Sequence, residues 1–163
     1  METVIHSFEP VYDENSKVLL LGTIPSPKSR ENTFYYGHPQ NRFWSVLKNV
    51  FSYTGNLSSV EDKRQFLLSK NIALWDVLSA CDIEGADDAS IKNPLPNDLN
   101  YIIQKSKIKQ VFTTGAKAHT LYEKLSYPST QIHAVKLLST SPANCRYKLE
   151  ELVADYSRVR EYV

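Results

Sequence analysis

Cysteine is nearly absent from this 163-residue chain: Cys81 and Cys145 are the only two, far apart and in no C-x-x-C arrangement. Neither a disulfide framework nor a zinc site can be built from them, and both are expected to be plain thiols. Long apolar runs are missing too. No stretch approaches the roughly 20 apolar residues of a membrane span, and residues 1–10 lack the basic start and apolar run of a secretory signal. The expectation is a soluble, cytoplasmic protein with no membrane partner. Excess charge is equally scarce, with 19 Lys and Arg against 18 Asp and Glu. That balance excludes a protein held on a polyanion by bulk charge, but it allows a local basic lip on a neutral body. The patterns Gly-x-x-x-x-Gly-Lys and Gly-x-Ser-x-Gly do not occur, nor do metal-ligand spacings. No cofactor and no metal are therefore expected.

What is present is apolar patterning along the whole length. A chain of this size is expected to form one domain, residues 1–163, burying roughly 70% of the surface its unfolded form exposes. Residues 17–23 (KVLLLGT) read as a fully buried strand ending in glycine, with a loop of active-site type directly after it. Further strands are predicted over 72–75, 110–114 and 132–138. Helical spacing i, i+3, i+4, i+7 groups Phe43, Val46, Leu47 and Val50, then Ala118, Leu121, Tyr122 and Leu125, then Leu149, Leu152, Val153 and Tyr156. Ser58 and Glu61 have capping-box spacing before a helix carrying Phe66 and Leu67, and Asn97 or Asp98 could start one carrying Leu99, Ile102 and Ile103. Residues 79–97, with Asp82, Glu84, Asp87, Asp88, Pro94 and Pro96, read as an irregular loop.

Strands alternating with helices predict a three-layer α/β/α fold around a central, mainly parallel sheet of about four strands. In such sheets ligands bind beyond the carboxyl ends of the strands, so the loops after Leu21 and after Leu138 should open on the same side.

Three segments could carry chemistry. Gly22, Thr23, Ile24, Pro25 and Ser26, continuing through Pro27 to Ser29, hold the backbone in an extended path that can aim N–H groups at a ligand. It equally fits an ordinary strand-to-loop turn. Residues 34–44 (FYYGHPQNRFW) pack aromatics, two amides, an imidazole and a guanidinium before a helix. A planar ligand could stack there while amides read its edge, although Phe43 and Trp44 suit the core and Asn41 sits where an N-cap belongs. The third runs Ser139, Thr140, Ser141, Pro142, Ala143, Asn144, Cys145, Arg146. Its hydroxyls and N–H groups suit phosphate oxygens, and its composition also suits a connecting loop.

Together, in this order and spacing, the three segments resemble the uracil-DNA glycosylase superfamily, from about Val18 to the final helix. The middle segment, Gly37 to Trp44, is the most specific and is similar to the mismatch-specific branch and its hypoxanthine-removing relatives. The uracil enzymes carry an Asp or Asn in the Gly-x-x-Pro loop to position water, where this chain has Ile24, and their second-motif His is matched here by Ser139. The sequence thus looks most like the hypoxanthine-DNA (deoxyinosine) glycosylase family. That resemblance implies a monofunctional enzyme of base excision repair acting on DNA that contains a deaminated base. It implies Asn41 as the residue associated with catalysis and Tyr36, with Phe34, as the platform for the flipped base. The backbone of Gly22, Thr23, Ile24, Pro25 and Ser26 would line the pocket, and Ser139, Ser141, Pro142, Ala143 and Asn144 would grip the DNA phosphates beside the lesion, where, from its own place in the segment, Arg146 could add positive charge.

Asn41 is expected both to donate to and to accept from the lactam edge of the base. Outside the matched motifs, Asp76, Asp87, Asp88 and His38 could activate water, each with an ordinary structural alternative. No lysine occupies a Schiff-base position, so the product is expected to be an intact abasic strand. The alternatives are uracil or xanthine as the base, a damaged-DNA-binding module without chemistry, and a free-nucleoside or ester hydrolase using Ser26 or Ser141 with His38 or His133. A monomer is expected.

Overall fold

In the computed structural model, which describes residues 1–144 and 146–163, Val18–Gly22 of the KVLLLGT run form a strand with every residue buried, while Lys17 before it is exposed. The Cys145 thiol expectation lies outside the described residues. The chain runs β1 (Glu2–Ile5), β2 (Val18–Gly22), α1 (Pro27–Asn32), α2 (Phe43–Val50), α3 (Val60–Ser69), β3 (Ile72–Asp76), β4 (Leu78–Glu84) and β5 (Asp87–Pro96). It continues α4 (Asn100–Ile103), β6 (Gln110–Thr114), α5 (Ala116–Leu121), α6 (Tyr127–Thr130), β7 (Ala134–Leu137) and α7 (Leu149–Tyr156).

The central sheet has the order β3-β2-β6-β7, and every pairing in it is parallel. Side chains alternate across it with period two, so each face collects its own core. Val18, Leu20, Ile72, Leu74 and Phe112 meet Phe43, Leu47, Phe66, Leu67, Leu152 and Tyr156 from α2, α3 and α7. Leu19, Leu21, Ala73 and Val111 meet Ile102, Ala118, Leu121 and Tyr122 on the other face. The expected α/β/α layering follows from that two-sided burial, each large apolar side chain contributing about 1.5–3 kcal/mol.

Residues 79–97 depart from the expected loop. They form the β4–β5 hairpin, and with β1 they make a second, antiparallel sheet of order β1-β4-β5. Gly85, at φ +55°, makes the tight connection between the paired Glu84 and Asp87. Pro94 and Pro96 lie on β5, an edge strand, where a missing N–H is tolerated. The acidic residues are partly used up in the sheet, for Asp82 accepts from the Thr3 hydroxyl (2.6 Å) and the Asn93 amide (2.8 Å).

Smaller corrections concern helix ends. Ser59, not Ser58, caps α3, its Oγ accepting the Asp62 N–H at 3.0 Å. α4 is a single turn, and Asn97 instead donates to the carbonyls of Asp76 and Leu78. The segment after Ser26 is helical rather than extended: Ser26 caps α1 and Pro27 opens it, the pairing that an N-cap hydroxyl and a preset φ favour. No helix among the described residues is long and apolar enough to cross a membrane.

Candidate active site

The carboxyl ends of β2, β3, β6 and β7 open into one cavity of about 340 Å³, and the β4–β5 hairpin supplies a further wall through Ile83, Gly85, Ala86 and Asp88. Its floor is formed by the buried Gly22, Tyr35 and Asp76, whereas Gly85, Ala86, Asp88 and Ala143 reach solvent at its mouth. The two loops anticipated to share a side do so.

The first loop is anchored through its carbonyls. Gly22 and Thr23 accept the N–H groups of Val77 (2.8 Å) and Leu78 (3.0 Å). The N–H groups of Thr23, Ile24 and Ser26 have no protein acceptor among the described residues, so a ligand can take them. Gly22 is required by space: a Cβ there would lie 2.6 Å from Asp76 Oδ1 and 3.0 Å from the Tyr36 hydroxyl.

Each residue of the Asn41-Arg42-Phe43-Trp44 segment has a distinct partner. Asn41 Oδ1 accepts the Phe43 N–H (2.9 Å) and the Thr140 hydroxyl (2.8 Å). The Phe43 N–H can only donate, which fixes the amide orientation and makes the Thr140 hydroxyl the second donor, leaving Nδ2 without a protein partner among the described residues. Asn41 therefore offers a donor only, and the expected dual role is corrected because its oxygen is spent on two internal bonds. Arg42 clamps the third loop, its guanidinium donating to the carbonyls of Tyr147 (2.7 Å) and Asn144 (3.2 Å) and its own N–H to Thr140 O (3.3 Å). The Phe43 ring stacks on Tyr36 at 3.8 Å and 10°, and Trp44 Nε1–H donates to the Tyr35 carbonyl.

Tyr36 occupies the left-handed region at φ +53°, an uncommon conformation for a tyrosine, and this turns its ring between Phe43 and the cavity. Its hydroxyl pairs with Thr114 Oγ1 (2.8 Å), which also donates to Leu21 O. Burial first, and the Asp76 charge second, hold the phenol well above its ordinary range. Phe34 is not on the cavity. It lies in the core, 4% exposed and stacked on Trp44, and Tyr35 lines the site instead.

In the third loop Ser139, Thr140, Ser141, Pro142 and Ala143 line the cavity, whereas Asn144 and Arg146 do not. Asn144 instead ties the loop to itself through Ser139 O (3.0 Å), and Arg146 lies exposed over the Tyr147 ring at 5.1 Å. Gly115, at φ +104°, lets β6 end against this loop, since a Cβ there would meet that of Ser139 at 3.3 Å.

Asp76 and His38 line the cavity and Asp87 does not. Asp76 Oδ2 accepts Nε2–H of His6 at 2.8 Å, with the two side chains 6% and 3% exposed. His6, Thr114 and the hairpin tip were not anticipated. Nothing in local spacing marks them. Although Asp88 as a residue reaches solvent, the packing around its carboxyl at the cavity mouth raises that group above the usual range, against the Thr23 hydroxyl (3.5 Å) and the Lys117 charge. For the hydrolase alternative, Ser26 Oγ donates to Ser29 Oγ and Ser141 Oγ accepts the Ala143 N–H, and neither is hydrogen-bonded to a histidine among the described residues. His133 lies away from the cavity, stacked on Tyr127 and paired with Glu123.

Residues 9–159, which include all three loops, fit the model of the uracil DNA glycosylase superfamily. The chain belongs to the uracil DNA glycosylase superfamily. It is 33% identical over 143 residues to a hypoxanthine DNA glycosylase of Methanosarcina barkeri, covering 85% of this chain and 87% of that protein. A hypoxanthine DNA glycosylase of Methanosarcina acetivorans is 33% identical over 112 residues, 68% of this chain and 71% of its own length. Among solved structures, a candidate uracil DNA glycosylase from Methanosarcina acetivorans, determined by solution NMR, superposes with a TM-score of 0.77 at 30% identity. That match covers 95% of this chain and 97% of the other. The superfamily assignment makes DNA the substrate polymer and the cavity the candidate site of base release.

Proposed function

We propose that the protein is a single-domain, monofunctional DNA glycosylase that extrudes a deaminated nucleotide and removes its base by hydrolysis, with hypoxanthine the favoured base. The observation that carries this reading is the pinned amide of Asn41, whose Nδ2–H₂ has no protein partner among the described residues and which lines one cavity with Tyr36 and residues 22–26.

The target bond is out of reach inside a duplex, so the nucleotide must leave the stack, which costs a few kcal/mol and costs less for a poorly paired base. As the C1′–N9 bond of deoxyinosine breaks, its electron pair moves onto the purine and positive charge grows on the sugar. Donors fixed around the base then gain strength in the transition state, and the DNA phosphates supply the balancing negative charge. Water adds through its oxygen to C1′, and the purine leaves with a proton. Tyr36, backed by Phe43, offers a ring face for the base. Ser139, Ser141, Pro142 and Ala143, at the cavity mouth, contact the DNA strand beside the lesion, with Asn144 holding their loop.

The preference for hypoxanthine over uracil rests on Ile24, an apolar side chain on the cavity wall where the uracil enzymes carry a water-holding Asp or Asn, and on the names of the two curated relatives. The test is alkali-dependent cleavage of end-labelled duplexes holding one hypoxanthine, uracil or xanthine. Cleavage strongest at hypoxanthine, requiring alkali, and slowed about 10²- to 10³-fold in Asn41→Ala is the expected result. Efficient cleavage at uracil would reverse the base preference, and no cleavage at any base would leave a DNA-binding module.

A further inference from the structure

Asn41 and the backbone of residues 23, 24 and 26 give the cavity an excess of donors. Its floor holds one fixed acceptor of a different kind, the carboxylate of Asp76. His6 holds Oδ2 at 2.8 Å, and His6 is itself set between the rings of Phe8 (centroids 4.7 Å) and Tyr35 (5.8 Å), with its backbone N–H on Ser79 O (2.7 Å). Oδ1 borders Gly22 and has no protein donor among the described residues, the nearby Tyr36 hydroxyl being engaged with Thr114. Oδ1 is not sealed in the core, so before a ligand enters water can meet it, and an entering ligand that displaces that water must supply a donor in its place.

We propose that Asp76, oriented by His6, reads the ring N–H of the extruded base, which under the function proposed above is N1–H of hypoxanthine. An extruded nucleotide enters base first and leaves its sugar and phosphates at the exposed mouth, so the buried floor meets the base edge. An ionised carboxylate only accepts. It therefore matches a lactam, whose ring nitrogen carries hydrogen, and repels undeaminated adenine, whose N1 presents a lone pair at the same place. His6 is a positioning residue: its Nε2–H stops the carboxylate from rotating and directs Oδ1 at the cavity. It comes from the segment just after β1, so the second sheet takes part in selecting the base.

The test is equilibrium binding to duplexes carrying a non-cleavable 2′-fluoro-arabino nucleotide, with either hypoxanthine or plain purine, which lacks N1–H and O6. Asp76→Asn should cut the preference for hypoxanthine over purine by about 10- to 100-fold, because a charge-assisted bond is lost while an amide can donate to purine N1. His6→Phe should lower the same ratio, and His6→Gln, which can still donate, should restore part of it. Because the readout is a ratio, a variant that merely loosens the fold weakens both duplexes together and leaves it unchanged. An unchanged ratio in Asp76→Asn overturns the assignment. If wild-type protein releases hypoxanthine while that ratio holds, only the role of Asp76 falls, whereas wild-type failure on hypoxanthine removes the proposed function and this reading with it.

Discussion

Thr140→Val tests whether the Asn41 amide works because it is held. The Thr140 side chain is almost fully buried and its hydroxyl donates to Asn41 Oδ1 at 2.8 Å. Valine keeps the shape and removes that donor. One of two bonds restraining the amide is lost, the other being the Phe43 N–H at 2.9 Å. A neutral hydrogen bond is worth about 0.5–1.5 kcal/mol, which converts to a roughly 2- to 12-fold slower base release. Asn41→Ala removes the donor itself and should cost about 3–4 kcal/mol. The two losses must not add. With no amide left to hold, Thr140→Val in the Asn41→Ala background should change the single-turnover rate by less than about 2-fold, a coupling close to the whole effect of Thr140→Val alone. Thr140→Ser, which keeps the hydroxyl, should release base nearly as fast as wild type. Additive losses in the double mutant would refute the reasoning, since they would show that Thr140 acts through something other than Asn41.

Three further outcomes are expected. Gly22→Ala places a Cβ 2.6 Å from Asp76 Oδ1, inside contact distance, and should cost about 1–3 kcal/mol by overpacking, read as a fall in Tm together with loss of base release. Phe34→Leu should lower Tm by several degrees while leaving KM unchanged, because the ring packs on Trp44 in the core and does not touch the cavity; a raised KM with unchanged Tm would return it to the site. The Asp88 carboxyl is raised in the folded protein, so the native state binds its proton more tightly than the unfolded chain does. Stability should therefore fall as pH rises from the ordinary carboxylate range through the raised value, and Asp88→Asn should remove that slope from a plot of Tm against pH.

The architecture was legible in residues 18–22 because a strand buried on both faces must be apolar throughout, and a run this short, closed by a glycine and a loop, suits a strand better than a helix. The helices carrying Phe43 and Leu152 were legible for the matching reason, since one buried face imposes a period of 3.6. The Asn41-Arg42-Phe43-Trp44 segment could likewise be recognised as a unit, because its partners impose four particular side chains in a row. The β4–β5 hairpin was not legible. β5 is mostly exposed and carries little apolar alternation, its prolines, tolerated on an edge, look like loop residues, and register shifts interrupt its pairing with the better buried β4. Phe34 and Tyr35 are adjacent aromatics of similar size, and which of them reaches the cavity depends on how the chain turns at Tyr36.

Long-range packing decided the rest. The free end of the Asn41 amide is set by a hydroxyl 99 residues away, and the usable oxygen of Asp76 by an imidazole 70 residues away. Local spacing records which side chains must be buried, since burial leaves a period in the chain. It does not record which buried polar groups meet, because hydrogen bonds between distant segments leave no period, and that choice belongs to the tertiary structure.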